Sequence, residues 1–264
     1  MRSFLFALIG VVVLNTDLFA QQAVQSPTNP PLDPRNNRLD ALLLQWEAKM
    51  KMVDTLSAEV TRVKEDRVFK STDTYQGRAK YKKPNLASLE LHRTDKPEIF
   101  EKYISTGNFL YEFSPSNKEV RVHELPRPKP GQVSEDNFLS FLFGMKAEEA
   151  KRRYDLKLLP EDKYYYYIEV RPRYPADKAD FQLAQLALLQ STFMPAQLTF
   201  FEPNGNRVTW SIRSVQQGVT LDRNEFTKPE LPRDWKFVTA PRVSQGGSPS
   251  GNPGLQPRVV RPKP

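Results

Sequence analysis

The chain has 264 residues, a formal charge of +8 and no cysteine. Disulfides are excluded, so any core must be large enough to hold on its own. Four of the positive charges, Arg242, Arg258, Arg261 and Lys263, stand in a C-terminal stretch without an acid, so the basic balance says little about a folded domain.

Residues 1–20 read as a secretory signal peptide. Arg2 is its basic start, Phe4 to Leu14 its apolar segment, and Leu18-Phe19-Ala20 a cleavage site before Gln21. The apolar run is shorter than the ~20 residues of a membrane span, and Asn15 and Asp17 close it. Residues 21–35 form a Pro-rich linker. Residues 239–264 form a basic Pro/Gly-rich tail, too poor in apolar residues to order itself. One domain over 36–238 remains. A secreted chain with this charge is not expected to meet nucleic acid.

Leu39, Leu42, Leu43, Trp46 and Met50 recur at spacings of three and four, which predicts a helix over 38–51 with one apolar stripe, capped by Asn36 or Asn37. After it the period changes to two. Leu56, Ala58 and Val60 alternate with polar residues, as do Tyr75 to Tyr81 and then Ala87, Leu89 and Leu91. Further strand runs follow at 99–105, 109–113, 118–125, 154–159, 163–171, 182–191, 196–202 and 206–215, separated by Gly, Asn, Pro and Ser turns. In 99–105, Ile99 and Tyr103 compete with Phe100 and Ile104 for the buried face. A second helix is predicted where Ser134-Glu135-Asp136 precede Phe138, Leu139, Phe141, Leu142, Phe143 and Met145.

About eleven consecutive strands with two helices predict an antiparallel sheet with one apolar and one solvated face. Two helices cannot cover so wide an apolar face if the sheet is flat. It must curl around them or close around a cavity, and a filled core and a cavity both remain open.

Chemistry is sparse. His92 and His123 are the two histidines, far apart and without cysteine, so no metal site is expected. The acid pairs Glu65-Asp66, Glu148-Glu149 and Glu161-Asp162 read as solvated charge. No G-x-S-x-G, P-loop or G-x-G-x-x-G occurs. No enzyme activity and no cofactor are expected. Tyr164 to Tyr167 put two tyrosines on each face of a strand, either half-buried or as a stacking platform.

The order of parts carries a resemblance. The motifs are "GRAKYKKPNL", "STGNFLYEFSPSNKEVRVHEL", the apolar "NFLSFLFGM", "PAQLTFFEPNGNRVTWSI" and "NEFTKPELPRDWKFV". In that order they resemble LolA, the periplasmic outer-membrane lipoprotein carrier, and its relatives. The family's glycine-to-proline segment falls on Gly77 to Pro84 and its hairpin on Gly107 to Pro115. Its next turn falls on Glu202 to Thr209, and its closing strand on Phe226 to Pro232. The resemblance implies a mainly β (α+β) fold: an unclosed antiparallel β-barrel of about eleven strands, with two or more helices as a lid over an apolar cavity. It implies a monomeric carrier of lipid or lipoprotein acyl chains. Such a carrier takes cargo from an inner-membrane donor to an outer-membrane acceptor and touches membranes transiently. On that reading Leu56, Val60, Ala87, Leu89 and Leu91 line the cavity, joined by Phe109 and Tyr111 of the hairpin. Phe138, Phe141 and Leu142 form the lid. Lys83, standing where the family has a lid-latching arginine, holds the lid to the sheet. Ala87 stands where a large aromatic is common. The alternative on the same scaffold is an envelope binding or sensor module that moves no lipid.

Overall fold

The computed structural model describes residues 31–125 and 146–239. The expected signal peptide, the 138–142 lid and the tail beyond Thr239 lie outside them. In chain order the elements are α1 (Arg38–Lys51), β1 (Thr55–Asp66), β2 (Ser71–Lys82), β3 (Leu86–Arg93), β4 (Phe100–Thr106), β5 (Phe109–Ser114) and β6 (Glu119–Glu124). Then come α2 (Ala147–Arg153), β7 (Tyr154–Leu158), β8 (Tyr165–Pro172), α3 (Pro175–Asp180), β9 (Leu183–Leu189), β10 (Pro195–Phe201), β11 (Arg207–Gln217) and β12 (Lys236–Thr239).

The twelve strands of the described residues belong to one sheet, ordered β12-β6-β5-β4-β3-β2-β1-β11-β10-β9-β8-β7. The chain meanders outward from β1 to β6, restarts at the far edge with β7, and meanders back until β11 pairs with β1. The edge strands β12 and β7 do not meet, so the sheet is an unclosed barrel, as predicted. Eleven strands fall on the predicted runs. The twelfth departs from expectation. β12 pairs with β6 in parallel, and its last residue is Thr239, the first residue assigned to the tail. The closing strand expected over Phe226–Pro232 is not a strand. A 3-10 turn over Arg223–Phe226 begins that segment instead, and its Asp222 cap accepts from the Asn224 amide at 3.0 Å.

α1 starts where the Asn37 side chain accepts from the amides of Leu39 and Asp40, at 3.0 and 3.3 Å. Its stripe of Leu39, Leu42, Leu43, Trp46 and Met50 is buried against one face of the sheet, called the inner face below. Leu56, Ala58 and Val60 of β1 join the same cluster, with Ala79, Leu89, Leu91, Ile168, Leu186, Leu198 and Trp210 from six other strands. Leu32 packs at its margin, so the expected linker is tied down at its end. Gly77 permits a close approach within this core. A Cβ there would sit 1.8 Å from the carbonyl oxygen of Glu90, so only glycine lets β2 lie this near β3.

A second, smaller core lies on the other side. Ile104, Tyr111 and Val120 are buried with Phe113 and Val122, under Leu231 and Trp235. Burial of Val120 is complete. This outer-face core fixes the C-terminal segment across β4 to β6.

Candidate functional site

The register decides which expected wall residues share a face, because directly opposed residues project to the same side. Leu89 opposes Tyr103, Tyr103 opposes Glu112, and Glu112 opposes Arg121. Leu56, Val60, Leu89 and Leu91 therefore lie with the α1 stripe on the inner face, and all four are buried in its cluster. Ala87 is also buried there, opposite Tyr81 and Ser105.

Phe109 and Tyr111 are a correction. Tyr111 opposes Ile104 and Val122, one residue out of phase with Leu89, so both hairpin aromatics stand on the outer face. Their rings are 6.4 Å apart, and Tyr111 meets Phe237 of β12 edge-on at 6.1 Å. Hairpin residues that do share the face of Leu89 are mostly polar, with Leu110, opposite Ser105 and His123, the apolar exception. Glu112 is buried there, with Nε2 of His123 at 2.9 Å and Arg121 at 3.5 Å. Of the two alternatives weighed for 99–105, Tyr103 points in, while Phe100 and Ile104 point out. Tyr103 packs on the inner core and Ile104 in the outer one. Burial pushes the Tyr103 hydroxyl well above its ordinary pKa, with the Glu101 and Glu112 carboxylates adding to the shift.

Where the apolar and polar parts of the inner face meet sits a buried ion pair that sequence reasoning missed. Both guanidinium ends of Arg62 donate to the Glu101 carboxylate, at 2.6 and 2.7 Å. The guanidinium carbon lies 4.4 Å from the Tyr75 ring centroid and 5.4 Å from that of Trp210. Its signal was present: Arg62 continues the inward phase of Leu56, Ala58 and Val60.

α1 is held down by polar contacts around its rim. At its start Arg38 meets Glu161 at 2.6 Å. Along its length the buried Asp40 accepts from Lys151 at 2.9 Å and from the amide of Asp33 at 2.8 Å. Glu47 accepts from Lys51 at 2.6 Å and from the Ala147 amide at 2.9 Å. Burial alone would raise the Glu47 pKa, but these two donors outweigh it and hold the carboxyl below its ordinary value. At the end of the helix Lys83 donates to the Lys51 carbonyl and, at 2.8 Å, to Asp54. Among the described residues, then, Lys83 ties the β2–β3 turn to α1. The 138–142 segment that it was expected to latch lies outside them.

The void left beneath α1, between Leu43, Trp46, Tyr154, Leu156 and Ile168, measures about 20 Å³. A much larger cleft, about 1220 Å³, opens on the outer face, where Arg78, Lys80, Glu90, Lys102 and Arg213 floor it and Asn224 to Glu230 form one side. Lys80 pairs there with Glu225 at 2.5 Å and Lys102 with Glu90 at 2.7 Å. His92 lies on the cleft wall and His123 on the inner face. No group of three or more metal-ligating side chains is found among the described residues. Of the tyrosine run, Tyr166 packs against the inner core, while Tyr165 and Tyr167 lie side by side on the other face at 6.0 Å. Asp162 accepts from the Tyr167 hydroxyl at 2.6 Å and from the amides of Tyr164 and Tyr165. Among the described residues no helix is long and apolar enough to cross a membrane.

No curated protein matches the sequence significantly. Solved structures resemble it at low identity. One is an uncharacterized conserved protein from Thermus thermophilus, with 11% identity and a TM-score of 0.48, over 75% of this chain and 97% of that one. A second is a putative outer membrane lipoprotein-sorting protein domain from Vibrio parahaemolyticus, with 12% identity and a TM-score of 0.38, over 70% and 94%. A third is the Pseudomonas aeruginosa MucA/MucB complex, with 12% identity and a TM-score of 0.42, over 73% and 62%. The model of the family described as outer membrane lipoprotein carrier protein LolA matches residues 51–229. That span runs from the end of α1 to the outer-face segment, and on this ground the chain belongs to the LolA family.

Proposed function

We propose that this protein is a periplasmic carrier of lipid or lipoprotein acyl chains, with the inner face as the surface that receives them. Membership of the LolA family supports the reading. The observation that carries it is the way α1 covers the apolar face. A 14-residue amphipathic helix lies over an unclosed sheet and is fastened at both ends by exposed polar contacts, Arg38 to Glu161 and Lys83 to Lys51 and Asp54. Such contacts are weak and reversible. The apolar stripe of α1 and the buried Asp40–Lys151 pair also hold it, so lifting the helix requires bound acyl chains to replace those contacts.

Among the described residues, the void found beneath α1 is too small for cargo. A void of about 20 Å³ is far below the ~300 Å³ of a small-ligand pocket, so an acyl chain must displace part of the cover. Each methylene that then leaves water contributes roughly 0.8 kcal/mol. The carrier needs no catalytic group, no metal and no cofactor. The test is uptake of a fluorescent fatty-acyl probe by the purified mature chain. Saturable uptake is expected, and it should disappear in Leu89→Glu, which puts a carboxylate on the receiving surface. Absence of uptake by a folded wild-type chain would contradict the proposal.

One observation favours a second reading, an envelope binding module that moves no lipid. A charged cleft of about 1220 Å³ opens on the outer face, and it suits a polar partner rather than an acyl chain. Under that reading the acyl probe is refused and the native protein carries no lipid.

A further inference from the structure

The β1–β2 hairpin ends in Arg67-Val68-Phe69-Lys70. Val68 is 72% exposed and Phe69 81%. Two large apolar side chains pointing into water at one tip call for a partner. The tip is built to present them. The Asp66 carboxylate accepts from the amides of Val68 and Phe69, at 2.9 and 3.0 Å, and Asn206 of the neighbouring turn accepts from the Arg67 amide at 3.0 Å. Lys70 closes the turn at φ 51°.

The charges around the tip are positive on balance. Both local acids are occupied: Asp66 by the loop amides and Glu65 by Arg207, whose second nitrogen is 2.7 Å away. Asp73, across from Lys64, is engaged by Arg93 at 2.8 Å. Lys64, Arg67 and Lys70 have no acid partner among the described residues. An apolar pair beside Lys64, Arg67 and Lys70, with Asp66 as the one carboxylate there that no cation pairs, leaves the tip net positive and matches an anionic bilayer surface. The side chains enter the headgroup boundary while the cations meet lipid phosphates.

We propose that the Val68-Phe69 tip is the membrane-docking point of this protein, inserting into the interface of anionic bilayers. The proposal does not depend on what the inner face carries. Met52 is the natural control. It is 76% exposed but precedes β1, whereas Val68 follows it, so the two lie at opposite ends of a 12-residue strand, roughly 40 Å apart.

The chain has no cysteine, so Phe69→Cys and Met52→Cys each accept a single environment-sensitive dye. With the full chain and vesicles of equal parts phosphatidylcholine and phosphatidylglycerol, the dye at 69 should shift to the blue and the dye at 52 should not. Salt should weaken the response, and pure phosphatidylcholine should give little of it. The V68S/F69S variant should lose vesicle affinity roughly tenfold or more while melting like the wild type. Acyl-probe uptake by that variant should be unchanged, which separates docking from cargo binding. No shift at 69, an equal shift at 52, or full affinity in V68S/F69S would overturn the proposal. The first of these would leave the tip to a pocket on a protein partner.

Discussion

The two arms of the sheet hide their apolar residues on opposite sides. From β7 round to β3 the inner face is apolar and α1 lies on it. From β4 to β6 the inner face turns largely polar, with Tyr103, Glu112, Arg121 and His123 beside Leu110, while Ile104, Tyr111 and Val120 are buried outward under Leu231 and Trp235. β4 is the crossover, because it serves both cores at once. Alternation along a strand states that one face is buried and one is not. It does not state which, and the answer depends on what another part of the chain lays over each face. Here the N-terminal helix covers one arm and the C-terminal segment the other.

Weakening each core separately tests that division. Leu91 is fully buried beneath α1, and Leu91→Ala should cost about 2–5 kcal/mol and lower the global urea midpoint. Trp235 is only partly buried, stacked near Phe100 and Phe113 at 6.5 and 6.0 Å. Trp235→Ala should cost roughly 1–2 kcal/mol, below the fully buried case. It should speed hydrogen exchange in β12 and β6 while amides of β8 to β10 stay protected. A uniform rise across the sheet would mean the two cores are one cooperative unit. A smaller effect is expected at Lys83. Lys83→Met removes the tie to the Lys51 carbonyl and should cost about 0.5–1 kcal/mol. Its exchange signature should be confined to the end of α1.

The smallest effect is one of pH. Glu47 titrates below its ordinary value because Lys51 and the Ala147 amide favour its charged form over the cost of burial. A depressed carboxyl gives stability that is present above the unfolded value of about 4.3 and is lost as pH falls through the lower folded value. The drop in urea midpoint from neutral to acid pH should therefore be smaller in Glu47→Gln than in the wild type. Equal drops would show that this contact does not hold α1.

Much of this was legible in the sequence. Period-two runs located eleven strands, and the three-and-four spacing of Leu39 to Met50 located α1. The shortage of helices called for a curled or closed sheet, and the family resemblance implied that it stays unclosed. Phe109 and Tyr111 were misplaced because a hairpin's alternation is symmetric between its faces, and the aromatic phase was taken as the inward one. β12 escaped because it has four residues and pairs in parallel with a strand more than a hundred positions away. The Arg62–Glu101 pair was hidden by the usual rule that charge lies outside. Arg62 obeys the phase of its strand instead, and its charge is met by Glu101 and two aromatic rings.

The central claim is that the inner face carries acyl chains. Its most direct test is to purify the mature chain natively from its own envelope, extract it with organic solvent and identify by mass spectrometry what is released. The account predicts acyl lipid or acylated peptide in stoichiometric amount, and none from Leu89→Glu. A well-folded wild-type protein that releases nothing would contradict it and leave the charged outer-face cleft as the working surface.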